Sequence, residues 1–168
     1  NLTFVQKLKE AVYEKYQEEI VIEAIDLEDP ATLALFAAGD TKGIFQFEQA
    51  GAIRLLRRVR PNHFEEVVAT TSLNRPGASD YIDNFVKRKH GQEKVDILDP
   101  AIEEILRPTY GIMLYQEQVM QIVRDLAGYS LGRADLVRRA MGKKKLEVMA
   151  KERELFIHGQ VDENGNII

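Results

Sequence analysis

Residues 116–145 read QEQVMQIVRDLAGYSLGRADLVRRAMGKKK, and this stretch carries the clearest helical pattern of the chain. Between Gln116 and Ala127, apolar side chains recur at helical spacing. The predicted inward stripe consists of Val119, Met120, Val123 and Leu126. Ser130 is a typical N-cap residue, so a second helix is predicted from there to Met141. Two helices joined by so short a connection indicate an α-helical domain.

Similar helix start and stop signals recur along the rest of the chain and predict an all-α, irregular domain of many short helices. The other predicted helices begin near Thr3, Pro30, Gln49, Asn62, Ser79, Pro100 and Lys145. Capping boxes are predicted from Thr3 with Gln6 and from Asn62 with Glu65, while Pro108 is predicted to end a helix. The β-branched run near residues 20–25 is predicted to add one short strand.

The composition predicts a folded protein without thiol chemistry. With 168 residues, of which 45% are hydrophobic, the chain can bury a core. No apolar run is long enough to cross a bilayer, and no signal peptide opens the chain. We therefore expect a cytoplasmic protein with no membrane partner. The absence of cysteine excludes disulfides and thiolate zinc sites.

Charge is distributed unevenly along the chain. The net charge of −4 argues against a protein that coats nucleic acid over its whole surface. Residues 133–151, however, carry seven basic side chains against two acidic ones. Residues 54–60 carry four arginines and no acid. Two concentrated basic patches on a mildly acidic protein indicate local recognition of an anion.

The residues give no catalytic or metal centre. His63, His90 and His158 are far apart in sequence, and no serine-hydrolase motif or phosphate-binding glycine loop is present. Asp26, Glu28 and Asp29 follow an apolar run, where metal-binding carboxylates can occur. The simpler interpretation is that Asp29 caps the helix that Pro30 begins. We therefore expect no metal ligands and no bond-making residues in this chain.

The segment that follows Ser130 has the pattern of a phosphate-binding site. Arg138 and Arg139 precede Gly142, and Lys143, Lys144 and Lys145 follow it. Guanidinium groups bind phosphate oxygens in pairs, and lysines supply mobile positive charge. A turn at Gly142 would let these side chains converge on one anion. The alternative is that cationic residues at a helix C-terminus merely complement the helix dipole.

Two further groups of residues are candidates for nucleic-acid contact. Arg54, Arg57 and Arg58 share one helical face by their spacing, so they are candidates for contact with DNA phosphates. The alternative is a solvated face. Tyr115 and Gln116 open a helix, where an aromatic ring could stack on a base and an amide could bind its edge. The alternative for Tyr115 is a half-buried tyrosine at a helix start.

Several motifs follow one another in order between residues 39 and 145. They are GDTKGIFQFE at 39–48, LNRPG at 73–77, FVKRKHG at 85–91, TYG at 109–111, YQEQVM at 115–120, AGYSLG at 127–132 and LVRRAMGKKK at 136–145. Together they resemble the alpha subunit of bacterial DNA polymerase III, the C-family replicative polymerase. The resemblance covers roughly residues 26–158. The ordered set is specific, although each motif alone would be weak.

The resemblance implies that this chain is the fingers region of a DNA-directed DNA polymerase, which binds the incoming dNTP and helps to place primer–template DNA. By the same resemblance, Arg138 and Arg139 meet the triphosphate, with Lys143 and Lys144 nearby. Four further nucleotide-binding residues are implied in loops that face the active site: Arg75, Gly77, Tyr115 and Gln116. Many relatives have Arg-Pro-Gly-Pro where this chain has Ala78 after Gly77, and this departure loosens the predicted turn.

The resemblance also implies how the chain is organised and what it works with. Residues 1–25 would connect palm to fingers, residues 26–158 would form the fingers domain, and residues 159–168 would be a truncated tail. In the intact enzyme Mg²⁺ would be bound by the palm aspartates, so the chain alone is expected to be inactive. The implied partners are dNTP, primer–template DNA, and the rest of the polymerase alpha subunit and replisome. The alternatives are a helical DNA-binding module without nucleotide chemistry and a scaffold that docks an acidic protein.

Overall fold

The computed structural model describes residues 2–160, and within that range the chain is helical and contains no strand. Its α-helices are α1 (Leu2–Tyr16), α2 (Pro30–Ala38), α3 (Ala50–Val59), α4 (Phe64–Leu73), α5 (Ile82–Lys89), α6 (Glu103–Leu106), α7 (Gln116–Ala127), α8 (Leu131–Gly142) and α9 (Leu146–His158). The prediction of an all-α domain of short helices is confirmed. Most of the predicted tail, from residue 161 onward, lies outside the described residues.

The short strand predicted near residues 20–25 is wrong. Ile22–Ala24 form a single 3-10 turn, in which the Ile25 N–H donates to the Ile22 carbonyl over 3.2 Å. Val21 is extended, but no strand lies within residues 2–160 to pair with it. A β-branched run becomes a strand only where a neighbouring strand supplies packing and hydrogen bonds. The other 3-10 turns are Ser79–Tyr81, Pro100–Ile102 and Arg107–Thr109.

Several predicted helix ends are confirmed by their capping hydrogen bonds. The Thr32 N–H donates to Asp29 Oδ2 over 2.7 Å at the start of α2. The Arg133 N–H donates to Ser130 Oγ over 3.3 Å at the start of α8. Gly128 ends α7 with a φ of 64°, a left-handed conformation that glycine adopts without steric cost. These signals are local, so the sequence pattern is sufficient to predict them.

Other predicted helix ends are wrong. The side chain that caps α4 is Glu66, one residue after the predicted Glu65, because position N3 is counted from His63 rather than from Asn62. Thr3 already lies inside α1, so it is not an N-cap. Pro108 does not end a helix but lies within the 3-10 turn that follows α6.

Helix α3 forms the centre of the first half of the molecule. Its buried residues are Ala52, Leu55, Leu56 and Val59. Two of them join a core with α4, Phe85 of α5 and Ile112. The other two pack with Leu33 of α2, Phe47 and Val67 of α4. Because α3 is apolar on one side only, its arginines are left on the opposite, exposed face.

Helices α7, α8 and α9 form the second half. Val123 of α7 packs with Tyr129 and with Ala134 and Val137 of α8. Of the predicted inward stripe of α7, Val123 is buried, Val119 and Met120 are half-buried and Leu126 is 41% exposed. Gln118 and Ile122, which were not predicted for the stripe, are buried. The second buried face of α7 arises because α6 packs on it. An apolar cavity of about 260 Å³ lies between α7, α8 and α9.

None of the residues of helix α1 is buried, and the same holds for α9. The apolar residues Phe4 and Leu8 of α1 are 72% and 53% exposed. Gln6, which was predicted to complete a capping box, instead donates to Glu10 over 3.0 Å. The prediction that residues 1–25 form a connecting segment stays a prediction.

A buried ion pair joins α4 to α5. The carboxylate of Glu66 accepts from Lys89 Nζ and from the Tyr110 hydroxyl, both over 2.5 Å. It also accepts from the backbone N–H of Asn62 over 2.8 Å. Burial raises the pKa of the Glu66 carboxyl, but the hydrogen bonds from Lys89, Tyr110 and Asn62 outweigh it and leave that pKa below its usual value. This network holds three chain segments together inside the first half of the molecule.

Candidate functional site

The end of α8 brings two predicted site arginines onto one carboxylate. Arg138 Nε and Nη2 donate to Asp135 Oδ1 over 2.9 and 2.6 Å. Arg139 Nη2 lies 2.6 Å from Asp135 Oδ2. The spacing of three and four residues along one helix places all three side chains on the same face. The two guanidinium groups therefore lie next to each other rather than on opposite sides of α8.

Gln116, another predicted site residue, belongs to the same cluster. Its Oε1 accepts from Arg138 Nη1 over 2.8 Å. The contact forms because a short connection reverses the chain between α7 and α8, so the start of α7 lies beside the end of α8. Arg138 is thus oriented by a carboxylate and an amide from two different helices.

Asp135 leaves the cluster with net positive charge. The hydrogen bonds from Arg138 lower the pKa of Asp135, and Arg139 contributes in the same direction. Asp135 is therefore ionised at neutral pH and offsets one of the two guanidinium charges. The Arg139 side chain remains 67% exposed. It can still donate to a second anion.

A cleft of about 320 Å³ lies beside Arg139. Its lining residues are Leu136, Arg139, Ala140, Lys143, Lys145 and Val148. Three of these six are cationic and none is acidic. Lys143 and Lys145 form no ion pair with any residue between 2 and 160. Lys144, Arg138 and Gln116, although predicted for the site, do not line the cleft.

The predicted turn at Gly142 occurs two residues later. Gly142 is the last residue of α8, and Lys144 has a left-handed φ of 52°. The Lys145 N–H reaches back to the Ala140 carbonyl over 2.9 Å, which closes the helix end. Lys144 takes the position where helices favour glycine, at a steric cost of about 1 kcal/mol. This turn directs Lys143 and Lys145 to one side of the cleft.

Tyr115 lies beside this cluster but is turned into the protein. Its ring packs against the core formed by α3, α4 and α5. Its hydroxyl is buried and has no hydrogen-bond partner among the described residues. Burial, with the nearby carboxylate of Glu65, raises the pKa of Tyr115 to about 12. The residue that caps α7 is Gln118, whose Oε1 accepts from the Leu114 and Tyr115 N–H groups over 2.8 Å.

Arg75 and Gly77 lie in a different part of the fold. Arg75 lines a polar pocket of about 180 Å³ between the start of α3 and the end of α4. Gly77 is in the exposed turn that follows, with a φ of 91°. Among residues 2–160, no hydrogen bond or ion pair connects either residue to Arg138 or Arg139.

The α3 arginines share one exposed face, as their spacing predicts. Arg57 Nε donates to the Ala38 carbonyl over 2.9 Å. Arg58 forms an ion pair with Asp83 of α5. Arg57 and Arg58 also line an open groove of about 450 Å³. Arg54 is exposed and makes no side-chain hydrogen bond or ion pair with the described residues.

The carboxylates near residue 28 have structural roles. Asp29 caps α2, and Glu28 Oε1 accepts from the Phe64 N–H at the start of α4 over 3.0 Å. Between residues 2 and 160, no three Asp, Glu or His side chains come together in a way that could hold a metal ion. No helix in this same range is long and apolar enough to cross a membrane.

Comparison with known proteins identifies the family. The sequence model of the bacterial DNA polymerase III alpha subunit finger domain matches residues 1–164. The chain belongs to this family. The matched residues include both the α8 cluster and the polar pocket at Arg75.

Individual polymerase relatives support the same conclusion. The DNA polymerase III subunit alpha of Streptococcus pyogenes is 69% identical over 157 residues, which is 94% of this chain. The subunits of Thermus aquaticus and Halalkalibacterium halodurans are 45% and 42% identical, over 94% and 96% of this chain. The chain spans only 13% to 15% of the length of these relatives.

Two residues of the α8 cluster and pocket are not identified by the sequence analysis. Asp135 orients both arginines, and its position three and four residues before them was a usable signal. Gln46 lines the polar pocket with Arg75, but these residues are far apart in sequence. Nothing in the local pattern predicts their proximity.

Proposed function

We propose that this chain is the part of a DNA-directed DNA polymerase that binds the triphosphate of an incoming dNTP. The proposal rests on one observation: Arg138 and Arg139 both form ion pairs with Asp135, beside a cleft lined by Lys143 and Lys145. A triphosphate needs several cationic donors that are held in place before it arrives, because fixed donors cost little reorganisation. Asp135 and Gln116 supply that orientation.

The side chains of this cluster would have separate tasks. Arg139 is exposed and would donate to phosphate oxygens from the α8 side of the cleft. Lys143 and Lys145 would neutralise the charge that develops on the leaving pyrophosphate. Lys144, Arg75, Gly77 and Tyr115 remain proposals from the family resemblance, because their placement gives them no contact with this cleft.

Nucleotide incorporation by DNA polymerases is metal-dependent phosphoryl transfer. The described residues contain no cluster of carboxylates that fits a metal ion. We propose that Mg²⁺ is bound by other parts of the intact enzyme and that this chain alone has no polymerase activity. The rest of the alpha subunit and the replisome would be its partners, and bacterial DNA replication would place it in the cytoplasm.

The α3 face supports a second role in positioning primer–template DNA. Arg54, Arg57 and Arg58 present their cationic groups on one exposed surface. DNA binding through such contacts weakens steeply as salt rises, because bound counterions are released. The competing hypothesis is a helical DNA-binding module that uses this face and has no nucleotide site.

Titration of the chain with dNTP, dNMP and primer–template DNA at about 50 and about 200 mM salt separates these hypotheses. We expect the triphosphate to bind more tightly than the monophosphate and DNA binding to fall with salt. Arg139→Ala should weaken triphosphate binding, whereas Arg54→Ala should weaken only DNA binding. If DNA bound but dNTP bound no more tightly than dNMP, the competing DNA-binding module would be favoured. If neither dNTP nor DNA bound, both hypotheses would be contradicted.

A further inference from the structure

The loop between α2 and α3 is held rigidly in place. The Thr41 hydroxyl is buried and donates to the Phe47 carbonyl over 2.6 Å. The Ile44 N–H donates to the Thr41 carbonyl over 3.1 Å, and the Phe47 N–H donates to the Ile44 carbonyl over 3.0 Å. Two consecutive turns are thereby closed by three internal hydrogen bonds. The backbone dihedral angles of hydrogen-bonded turns are narrowly defined, so they limit the directions in which the loop side chains can point.

Two apolar residues of this loop anchor it to the core, whereas Phe45, which lies between them, is left outside. Phe47 is buried and meets Phe36 edge to face, with ring centroids 5.3 Å apart. Ile44 packs against the same core. Phe45, in contrast, is 80% exposed. The Phe45 ring therefore lies outside the apolar core, on a loop whose backbone is hydrogen-bonded on both sides.

The residue after Phe45 begins the polar pocket that also contains Arg75. Gln46 has a left-handed φ of 67°, a strained conformation for a residue other than glycine. Its side chain lines the pocket with Gln49, Asn74 and Arg75. Among the described residues, none of these four side chains has a hydrogen-bond partner or an ion pair. The pocket therefore offers donors and acceptors that no part of the described protein uses.

We propose that Phe45 and this pocket form a subsite for one unpaired nucleobase of the DNA. The base would stack on the Phe45 ring, a contact that every base can make. The amides of Gln46 and Asn74 each carry a donor and an acceptor, so they can bind the edge of different bases. Arg75 would bind the adjoining phosphate. This inference rests on the proposed DNA-binding function and adds a second contact site to it.

Stacking, rather than charge, would supply most of the affinity of this subsite. The loop from residue 39 to residue 49 carries Asp40, Lys42 and Glu48, so it is not basic itself. Within residues 2–160, Arg75 is the one cationic residue that lines the pocket. Loss of the Phe45 ring should therefore weaken binding at every salt concentration and leave the salt dependence nearly unchanged.

The chain contains no tryptophan, so a single introduced tryptophan can report on stacking. In Phe45→Trp, we expect single-stranded oligonucleotide to quench the tryptophan emission. Leu98→Trp provides the matched control, because Leu98 is 95% exposed and lies in another loop. Its emission should change little. An oligonucleotide with abasic sites should bind through its phosphates without quenching Trp at position 45.

Affinity measurements on unlabelled variants complete the test. We expect Phe45→Leu, which keeps apolar area but removes the aromatic face, to bind the oligonucleotide on the order of tenfold more weakly. Phe45→Tyr should bind like the unmodified chain, and thermal unfolding should show that both variants fold. Unchanged affinity in Phe45→Leu, or equal quenching at positions 45 and 98, would overturn the subsite while DNA binding persists. Failure of the unmodified chain to bind any DNA would overturn both the subsite and the proposed DNA-binding role. It would not decide triphosphate binding, which the titration with dNTP tests separately.

Discussion

Glu66→Ala is expected to lower the free energy of unfolding by about 3–5 kcal/mol. The Glu66 and Lys89 side chains are only 3% and 6% exposed, so the variant leaves a buried ammonium group without its carboxylate. It also removes the acceptor for the Tyr110 hydroxyl and for the Asn62 and His63 N–H groups. Chemical denaturation of the variant and of the unmodified chain measures this difference.

Glu65→Ala is the matched control, because it removes the same side chain from the adjacent, exposed position of α4. It should change the free energy of unfolding by less than about 0.5 kcal/mol. Equal losses in the Glu65 and Glu66 variants would contradict the role assigned to the buried ion pair.

The pH dependence of stability provides a second readout of Glu66. Its pKa is lower in the folded state than the ordinary glutamate value of 4.5. The stabilisation from its ionised form is therefore fully present above that unfolded-state value, and it is lost as the pH falls through the folded-state pKa. Glu66→Gln should lose part of this acid-induced destabilisation, which denaturation at several pH values between neutral and acidic would show.

Arg138→Ala, introduced into a full-length alpha subunit that contains this chain, is expected to lower kcat/KM for nucleotide incorporation by about 100-fold. Arg138 is the member of the cluster that Asp135 and Gln116 both orient. Its loss would remove one charged donor, and Asp135 would then offset the charge of Arg139 alone. Single-nucleotide incorporation on a primer–template, measured over a range of dNTP concentrations, gives kcat and KM separately.

Arg124→Ala provides the control for the loss of a surface arginine. Arg124 also pairs with a neighbouring carboxylate, that of Asp125, but it lies on α7 outside the cluster. Its incorporation kinetics should remain close to those of the unmodified enzyme. Exposed ion pairs contribute at most about 1 kcal/mol, and the Arg138 side chain is only partly buried, so both variants should fold. Unchanged kinetics in Arg138→Ala would remove this residue from the nucleotide site.

The parts of the fold that local chemistry determines could be predicted from the sequence. The bounds of α7 follow from its apolar spacing and from Gly128, and Asp29 and Ser130 cap their helices as expected. Such signals act within a few residues, so no tertiary information is needed to interpret them. The pairing of Arg138 with Arg139 could likewise be anticipated from their position on one helix.

The errors arise where distant residues decide the outcome. The run near residue 22 has strand-forming side chains, but the described fold supplies no partner strand. Glu66 rather than Glu65 caps α4 because the helix begins one residue later than predicted, and Lys89 and Tyr110 bind the Glu66 carboxylate from other segments. The left-handed turn falls at Lys144 instead of Gly142 because α8 continues one residue further than predicted.

The candidate sites show the same division. Gln116 and Arg138 are 22 residues apart, and only the reversal between α7 and α8 brings them into contact. Arg75 was grouped with them by family resemblance, whereas the fold places it with Gln46 in a separate pocket. A sequence pattern gives the chemistry of each residue, but the distance between such residues depends on packing.

The binding of a triphosphate at the α8 cluster can be tested most directly by following the side-chain NMR signals of the arginines during titration with dNTP. We expect the Nε–H signals of Arg138 and Arg139 to shift in a saturable manner with dNTP and to stay unchanged with the deoxynucleoside, which lacks phosphates. The Nε–H signal of Arg124 should stay in place throughout. If the Arg138 and Arg139 signals did not move at dNTP concentrations that saturate binding elsewhere on the chain, the α8 cluster would not be the triphosphate site.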